Sequence, residues 1–151
     1  MGRDSFSFSV FGVQPAPQGS KKYVGMRRTA AGNNIPLIIE SSAGLPAWRK
    51  AVSDAVKQAM TDSGDNSKFE GPVRVEAVFY LRKPRTVTRA YPTTPPDVDK
   101  LCRSLLDGVT AKDKTGVQGV WQDDSQVVEL LAVKKWAINE PGVVVTITKI
   151  G

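Results

Sequence analysis

The chain has 151 residues, of which 40% are hydrophobic and 24% are charged, and 21 lysines and arginines outnumber 15 aspartates and glutamates. This composition is typical of a globular protein and excludes a disordered or fibrous one, while the net charge of +6 favours a polyanionic partner. Because the sequence contains no histidine, it excludes Ser-His and Cys-His nucleophilic catalysis as well as histidine-ligated zinc.

Cysteine usage and hydropathy indicate where the protein works. Cys102 is the single cysteine, so no disulfide can form within the chain and we expect a reducing compartment. No apolar stretch approaches the length of a membrane span, and the alternating residues 5–10 do not form the core of a signal peptide. The sequence therefore predicts a cytoplasmic protein with no membrane partner.

The first half of the chain predicts a strand, a basic strand or hairpin, and a helix. Phe6, Phe8 and Val10 alternate with serines, as expected for a strand with one buried face. A proline-rich break follows, then a basic segment at 21–28 and a turn signal at 32–34. Ser41 and Ser42 could cap a helix that ends near 63–64 and has an apolar face formed by Leu45, Trp48, Val52, Ala55, Val56 and Ala59.

The second half predicts three further strands and a second helix. Residues 73–82 alternate most regularly, and an exposed loop at 82–96 should follow them. A helix should begin after Pro95 and Pro96 and stop near 108–110, and a glycine-containing loop at 112–119 should lead to strands at 126–136 and 142–150. The apolar run 127–133 predicts burial on both faces, by the rest of the chain and by a partner. This order predicts an α+β fold, with a mixed β-sheet and two main helices in a single domain.

Two pairs of carboxylates lie at element boundaries. Asp97 is a natural N-cap and Asp99 falls in the first helical turn, while Asp123 and Asp124 precede a strand. If that strand pairs beside the start of the helix, the two pairs converge into a cage of oxygen ligands suited to Mg²⁺. Taken singly, each acid has an ordinary explanation as a helix cap, a favourable first-turn charge or a turn residue.

Arg103 lies between Asp99 and Asp107 at four-residue spacing on one helix face. The pattern predicts either surface salt bridges, which we favour for Asp107, or a cation that stabilises charge growing on a scissile phosphate, which we favour for Arg103. With no histidine present, carboxylates are the remaining proton acceptors.

Two basic segments are candidates for phosphate contacts. The first comprises Lys21, Lys22, Arg27 and Arg28. The second, in the predicted loop, comprises Arg82, Lys83, Arg85 and Arg89. Lys100 on the second helix is a further candidate. A solvated surface is the alternative for any one of these residues, whereas Trp121 is expected in the core.

The motif Pro96-Asp-Val-Asp-Lys-Leu, followed by Leu105-Leu-Asp-Gly-Val and Gly119-Val-Trp-Gln-Asp-Asp-Ser-Gln-Val-Val-Glu, resembles the core of the RusA-like Holliday-junction resolvases, a family common in phages and prophages. The proline-rich segment 13–22 is similar to the opening of many members. The resemblance extends over most of the chain and implies that residues 1–151 form one RusA-like endonuclease domain.

The resemblance also implies an activity and a set of residues. It implies a homodimeric, Mg²⁺-dependent endodeoxyribonuclease that nicks four-way junctions symmetrically in DNA recombination and repair, with Mn²⁺ as a substitute metal and no nucleotide cofactor. By position, Asp97, Asp99 and Asp124 match metal-binding aspartates, and Asp123 matches a neighbouring acid. Arg103 takes the place of a functionally important lysine. Because arginine is also a cation, the residue keeps a role in stabilising negative charge on the phosphate.

Two other functions stay open at this point. A related metal-dependent nuclease would act on flaps, forks or other branched DNA, and would not make paired symmetric nicks. A noncatalytic DNA-binding module would use the aspartates only as caps and salt-bridge partners.

Overall fold

A computed structural model describes residues 3–19, 21–40, 43–110 and 119–151, with the backbone alone described at 21–25, 27 and 35–40. It contains six strands, β1 (Ser5–Phe11), β2 (Lys21–Arg28), β3 (Asn34–Glu40), β4 (Val73–Leu81), β5 (Val127–Trp136) and β6 (Gly142–Lys149). The two helices are α1 (Leu45–Ser63) and α2 (Val98–Val109), and a 3₁₀ turn precedes β5. The predicted α+β class is confirmed. The predicted loop 112–119 lies mostly outside the described residues.

Four strands form one mixed sheet in the order β1-β6-β4-β5. β6 pairs antiparallel with both β1 and β4, while β5 runs parallel to β4. A parallel neighbour requires a crossover, and α2 supplies it between β4 and β5. The crossover makes α2 antiparallel to β5, so that the start of α2 lies towards the end of β5. This arrangement decides which acidic residues can meet.

The alternating strands bury one face each. Phe6, Phe8 and Val10 of β1 are buried, and so are the alternate residues of β4 from Val73 to Leu81. Both helices pack over this face and contact each other. Trp121 is fully buried, as predicted, and its indole N–H donates to the Thr110 hydroxyl at 2.9 Å. The core therefore fixes α2 between α1 and the edge strand β5.

The predicted basic hairpin is confirmed as the separate two-stranded sheet β2-β3. The predicted capping of α1 by Ser41 and Ser42 is wrong, because the N-cap is Gly44 and a proline occupies the first turn, where a missing N–H costs nothing. The helix ends as predicted, at Gly64 in the left-handed region with φ 69°. No helix within the described ranges is long and apolar enough to cross a membrane.

β5 differs from its prediction. The part of the chain that the structure describes does not bury β5 on both faces: β5 is an edge strand, and Val128 is 61% and Leu131 51% exposed. An apolar run typical of a central parallel strand here forms an open edge. Burial of β5 by a partner stays a prediction.

Candidate active site

One face of α2 and the inner face of β5 enclose a cleft of about 410 Å³. Its lining combines three acids, one arginine, one glutamine, one cysteine and two leucines: Gln18, Asp99, Cys102, Arg103, Leu106, Asp107, Asp124 and Leu130. The α2 members follow each other at alternating steps of three residues and one, so that members three or four residues apart share one side of the helix. Leu130 pairs with the buried Val75 in register and therefore points to the same side of the sheet.

The cleft brings Asp99 and Asp124 together with Asp107 and leaves Asp97 outside its lining. Asp97 is the N-cap of α2, as predicted, but its side chain makes no capping hydrogen bond and pairs with Lys100 at 3.4 Å. Ten helical residues separate Asp97 from Asp107, a rise of about 15 Å. Since α2 is antiparallel to β5, Asp124 lies towards the Asp107 end of the helix. Asp97 is not among the residues that line the cleft, and its convergence with Asp124 stays a prediction.

The environment of Asp124 is negative. Burial raises the pKa of Asp124, and a hydrogen bond shared with Asp123 and the charges of Asp107 and Asp123 raise it further. No ion pair to Asp124 occurs among the described side chains. A cation entering the cleft would therefore relieve repulsion between carboxylates.

Asp123 has a structural contact that explains its position. Its carboxylate accepts a hydrogen bond from the backbone N–H of Ser125 at 2.9 Å. In turn, the Asp123 N–H donates to Gln126 Oε1 at 3.2 Å. This capping box starts the 3₁₀ turn. The Ser125 N–H and hydroxyl lower the pKa of Asp123, so the two adjacent carboxyls differ. Asp123 thereby orients the turn that presents Asp124.

Asp107 forms an ion pair, but with a partner that the sequence does not indicate. Its Oδ2 accepts from Gln18 Nε2 at 2.6 Å and lies 3.6 Å from an Arg49 nitrogen. Arg49 also donates to Gln18 Oε1, and the Gln18 N–H donates to the Lys100 carbonyl at 3.0 Å. The proline-rich segment is thus fastened along α2, with the Ser104 hydroxyl donating to the Ala16 carbonyl at 2.6 Å.

Arg103 is exposed and makes no ion pair with Asp99 or Asp107 in the described structure, so the alternative of salt bridges to Arg103 is wrong, although Asp107 pairs with Arg49. Its guanidinium lies against Gly19, where Nη1 is 2.5 Å from the position that a Cβ would occupy. Gly19 also has φ +99°, a conformation that favours glycine. The segment before β2 therefore leaves room for the arginine at the cleft.

The predicted phosphate contacts differ in what the structure shows of them. Arg82, Lys83 and Arg85 are exposed in the loop after β4. Arg89 is exposed too, and its guanidinium lies 5.6 Å from the centroid of the Trp136 ring. Arg28 is exposed on the hairpin, whereas the side chains of Lys21, Lys22 and Arg27 lie outside the description. Lys100 is half-buried beside Asp97.

Sequence reasoning missed Gln18 and undervalued Asp107. A signal for each was present, because Asp107 lies two turns after Asp99 on the same helix face. Gln18 belongs to the proline-rich opening, which composition alone marks only as a break between strands.

The acids of the cleft suit a hard divalent cation in the chemistry of their donors. No group of three acidic or cysteine side chains within the described ranges lies close enough to hold an ion. Mg²⁺ commonly takes one or two protein carboxylates and fills its other positions with water and phosphate oxygens. The cleft fits such a site with few protein ligands and does not form the predicted four-carboxylate cage.

Comparison with known proteins identifies the family of the chain. A search of curated proteins found no match. The family model described as endodeoxyribonuclease RusA matches residues 14–148. This span includes Gln18, α2, the capped Asp123-Asp124 turn and the whole of β5. Since the match covers almost the entire chain and every element of the cleft, the chain belongs to the RusA family of endodeoxyribonucleases.

Proposed function

We propose that the protein is a Mg²⁺-dependent endonuclease that resolves four-way DNA junctions by paired symmetric nicks during recombination and repair. The proposal rests on the cleft that combines Asp99, Asp107, Asp124 and the exposed Arg103 in a chain of this family. Oxygen donors beside a fixed cation are what phosphodiester hydrolysis requires in a site without histidine.

Each residue of the cleft has a role in this proposal. Asp99 and Asp124 would hold the metal, which, when bound, supplies positive charge at the phosphodiester and makes water more acidic. Mn²⁺ would substitute, because it accepts similar oxygen ligands. Arg103 stabilises the negative charge that develops on the phosphate as a water oxygen attacks and the P–O bond breaks. A carboxylate takes the proton of that water, since the chain has no imidazole.

Asp97 has a different status from the other aspartates. It is half-exposed beside Lys100 and is not part of the cleft lining. Its proposed role as a metal ligand rests on the family motif. Asp97→Asn, compared with Asp99→Asn, therefore tests whether Asp97 takes part in cleavage although it lies outside the cleft lining.

DNA contacts follow from the charge around the cleft. The loop after β4 presents Arg82, Lys83 and Arg85 to solvent, and it leads directly into Asp97 and α2. Arginine and lysine at such positions bind phosphates without reading sequence. The loop would hold a DNA arm so that the scissile phosphate meets the cleft.

A homodimer completes the proposal. The edge strand β5 exposes Val128 and Leu131, and beyond β5 the described sheet has no further strand. A second copy placed there would bury this edge, and its two-fold axis would give a nearly two-fold junction two equivalent clefts. Sedimentation at micromolar concentration should show a dimer with and without junction DNA.

The decisive experiment compares a synthetic mobile four-way junction with linear duplex in Mg²⁺, Mn²⁺ or EDTA. We expect metal-dependent cleavage of the junction, with paired nicks whose products ligate. Asp99→Asn and Asp124→Asn should each reduce the rate by about 100-fold or more, since each removes a metal ligand. Asp62→Asn, which changes an exposed carboxylate on α1, is the matched control.

The outcomes separate the candidate functions. Equal cleavage of flaps or forks without paired nicks would indicate the branched-DNA nuclease. Junction binding without cleavage in either metal would indicate the noncatalytic module.

A further inference from the structure

Lys134 makes two hydrogen bonds that the proposed function does not use. Its ammonium donates to the Pro96 carbonyl at 2.9 Å and to the Thr94 carbonyl at 3.1 Å. Lys134 pairs in register with the buried Phe79, so it lies on the helix-covered face of β5. A half-buried ammonium with two carbonyl acceptors fastens the loop after β4 to this strand.

The segment that Lys134 holds leads directly into α2, the helix that carries Asp99. Pro96 is bonded to Asp97, whose own carbonyl accepts the helical hydrogen bond from the Leu101 N–H at 3.0 Å. Asp99 lies in the first turn that this bond closes. A shift of the Pro96 peptide would therefore move Asp99 with it.

The same strand also positions the opposite acid. Asp124 opens the 3₁₀ turn that passes directly into Val127, the first residue of β5. β5 thus carries Asp124 next to one end and Lys134 close to the other, and its pairing with β4 keeps it extended. The length of β5 therefore separates the turn that carries Asp124 from the segment that leads to Asp99.

A second contact fastens the loop farther from the helix. The Trp136 indole N–H donates to the Arg89 carbonyl at 3.0 Å, and the Arg89 guanidinium lies over the indole ring. The Arg89 guanidinium also donates to the Thr94 hydroxyl at 3.0 Å, so this second contact extends to Thr94 but not to Pro96, the residue before Asp97. Lys134 is the residue of β5 whose side chain bonds to Pro96.

We propose that Lys134 is a positioning residue of the cleft, whose ammonium holds the Thr94–Pro96 backbone on β5 and so sets the separation of Asp99 from Asp124. The inference rests on the proposed function, because it concerns the geometry of the same site. Lys134 touches neither the metal nor the phosphate in this role.

The test compares Lys134→Met with Lys135→Met in the full chain. Lys135 is exposed on the opposite face of the same strand, so its substitution removes an equal charge without releasing the loop. Lys134→Arg keeps a cationic donor and should recover part of the effect. Lys134→Gln provides a second neutral variant if the methionine variant does not fold.

Two measurements on the protein without DNA report the role directly. Titration with Mn²⁺, followed by the electron paramagnetic resonance of the free ion, gives the metal affinity. We expect Lys134→Met to weaken it by about 10-fold or more, the range typical of groups that orient metal ligands. Amide hydrogen exchange should accelerate in residues 93–99 of this variant, and Lys135→Met should match the wild type in both measurements.

The outcomes distinguish the two proposals. If the wild type binds Mn²⁺ and cleaves junctions, but Lys134→Met keeps the metal affinity of Lys135→Met, the positioning role is wrong and the proposed function stands. Faster exchange with unchanged metal affinity would equally overturn the role, because it would show a purely structural tie. If the wild type neither binds Mn²⁺ nor cleaves, both proposals fail.

Discussion

The close crossing of α1 and α2 makes Gly108 a sensitive position. A Cβ at Gly108 would lie 2.8 Å from Val52 Cγ1 and 3.0 Å from Val52 Cβ. Val52 is fully buried, and its β-branched side chain is restricted to one main rotamer in a helix, so it cannot turn away. Gly108→Ala therefore forces the two helices apart or strains the core.

The expected magnitude is the difference between two terms. Alanine improves helix propensity by about 1 kcal/mol over glycine, whereas overpacking a core costs about 1–3 kcal/mol. We expect Gly108→Ala to lower the free energy of unfolding by about 1 kcal/mol, equivalent to about 2–4 °C in Tm for a chain of this size. Cleavage should also slow, because α2 carries Asp99 and Asp107.

A double-mutant cycle in urea checks this reasoning. Val52→Ala alone should cost about 2 kcal/mol through lost burial and a cavity. With both changes, the new methyl occupies part of the vacated space, so the double variant should be more stable than the sum predicts by about 1 kcal/mol. Stabilisation by Gly108→Ala, or strict additivity of the two changes, would refute the close-contact argument.

Three further predictions concern DNA and the thiol of the cleft. Neutralising Arg82, Lys83, Arg85 and Arg89 together should weaken junction affinity and flatten its salt dependence by about 0.9 in slope per lost phosphate contact, and saturating DNA should restore most of the rate. Arg103→Ala should leave junction affinity nearly unchanged but slow single-turnover cleavage by about 100-fold, with Arg103→Lys retaining much of the rate; wild-type cleavage by the alanine variant would contradict the role. Cys102 should resist iodoacetamide at pH 8 in the folded protein and react after denaturation. Burial, and then the charge of Asp99, raises the pKa of Cys102 to about 11, so about one thiol in a thousand is ionised at pH 8. Rapid alkylation of the native protein, detected by mass spectrometry, would disprove this.

Local patterns predicted most elements because one face of each element is buried. The alternation of β1 and β4 and the apolar face of α1 depend only on which residues meet the core. The cap of α1 could not be predicted in the same way. Gly44 has no side chain to signal a cap, whereas Ser41 and Ser42 are residue types that often provide one.

The position of β5 in the sheet could not be predicted from its own residues. An apolar run such as 127–133 suits either a central strand or an edge that a partner covers, since both bury the same side chains. Its parallel pairing with β4 depends on the crossover through α2. Strand order is a property of the whole chain, and it brings Asp107, but not Asp97, into the lining of the cleft with Asp99 and Asp124.

The two ends of α2 also differ in how their acids are compensated. Asp97 forms an ion pair with Lys100 at one end, and Asp107 forms an ion pair with Arg49 and accepts a hydrogen bond from Gln18 at the other. Among the described residues, Asp99 and Asp124 form no ion pair, although both line the cleft. Asp124 is partly buried and burial raises its pKa, so its negative charge is favourably balanced by a cation from solution, whereas Asp99 is exposed. We therefore expect substitution of Asp99 or Asp124, which line the cleft, to slow cleavage more than substitution of Asp97, which already pairs with Lys100 outside the lining.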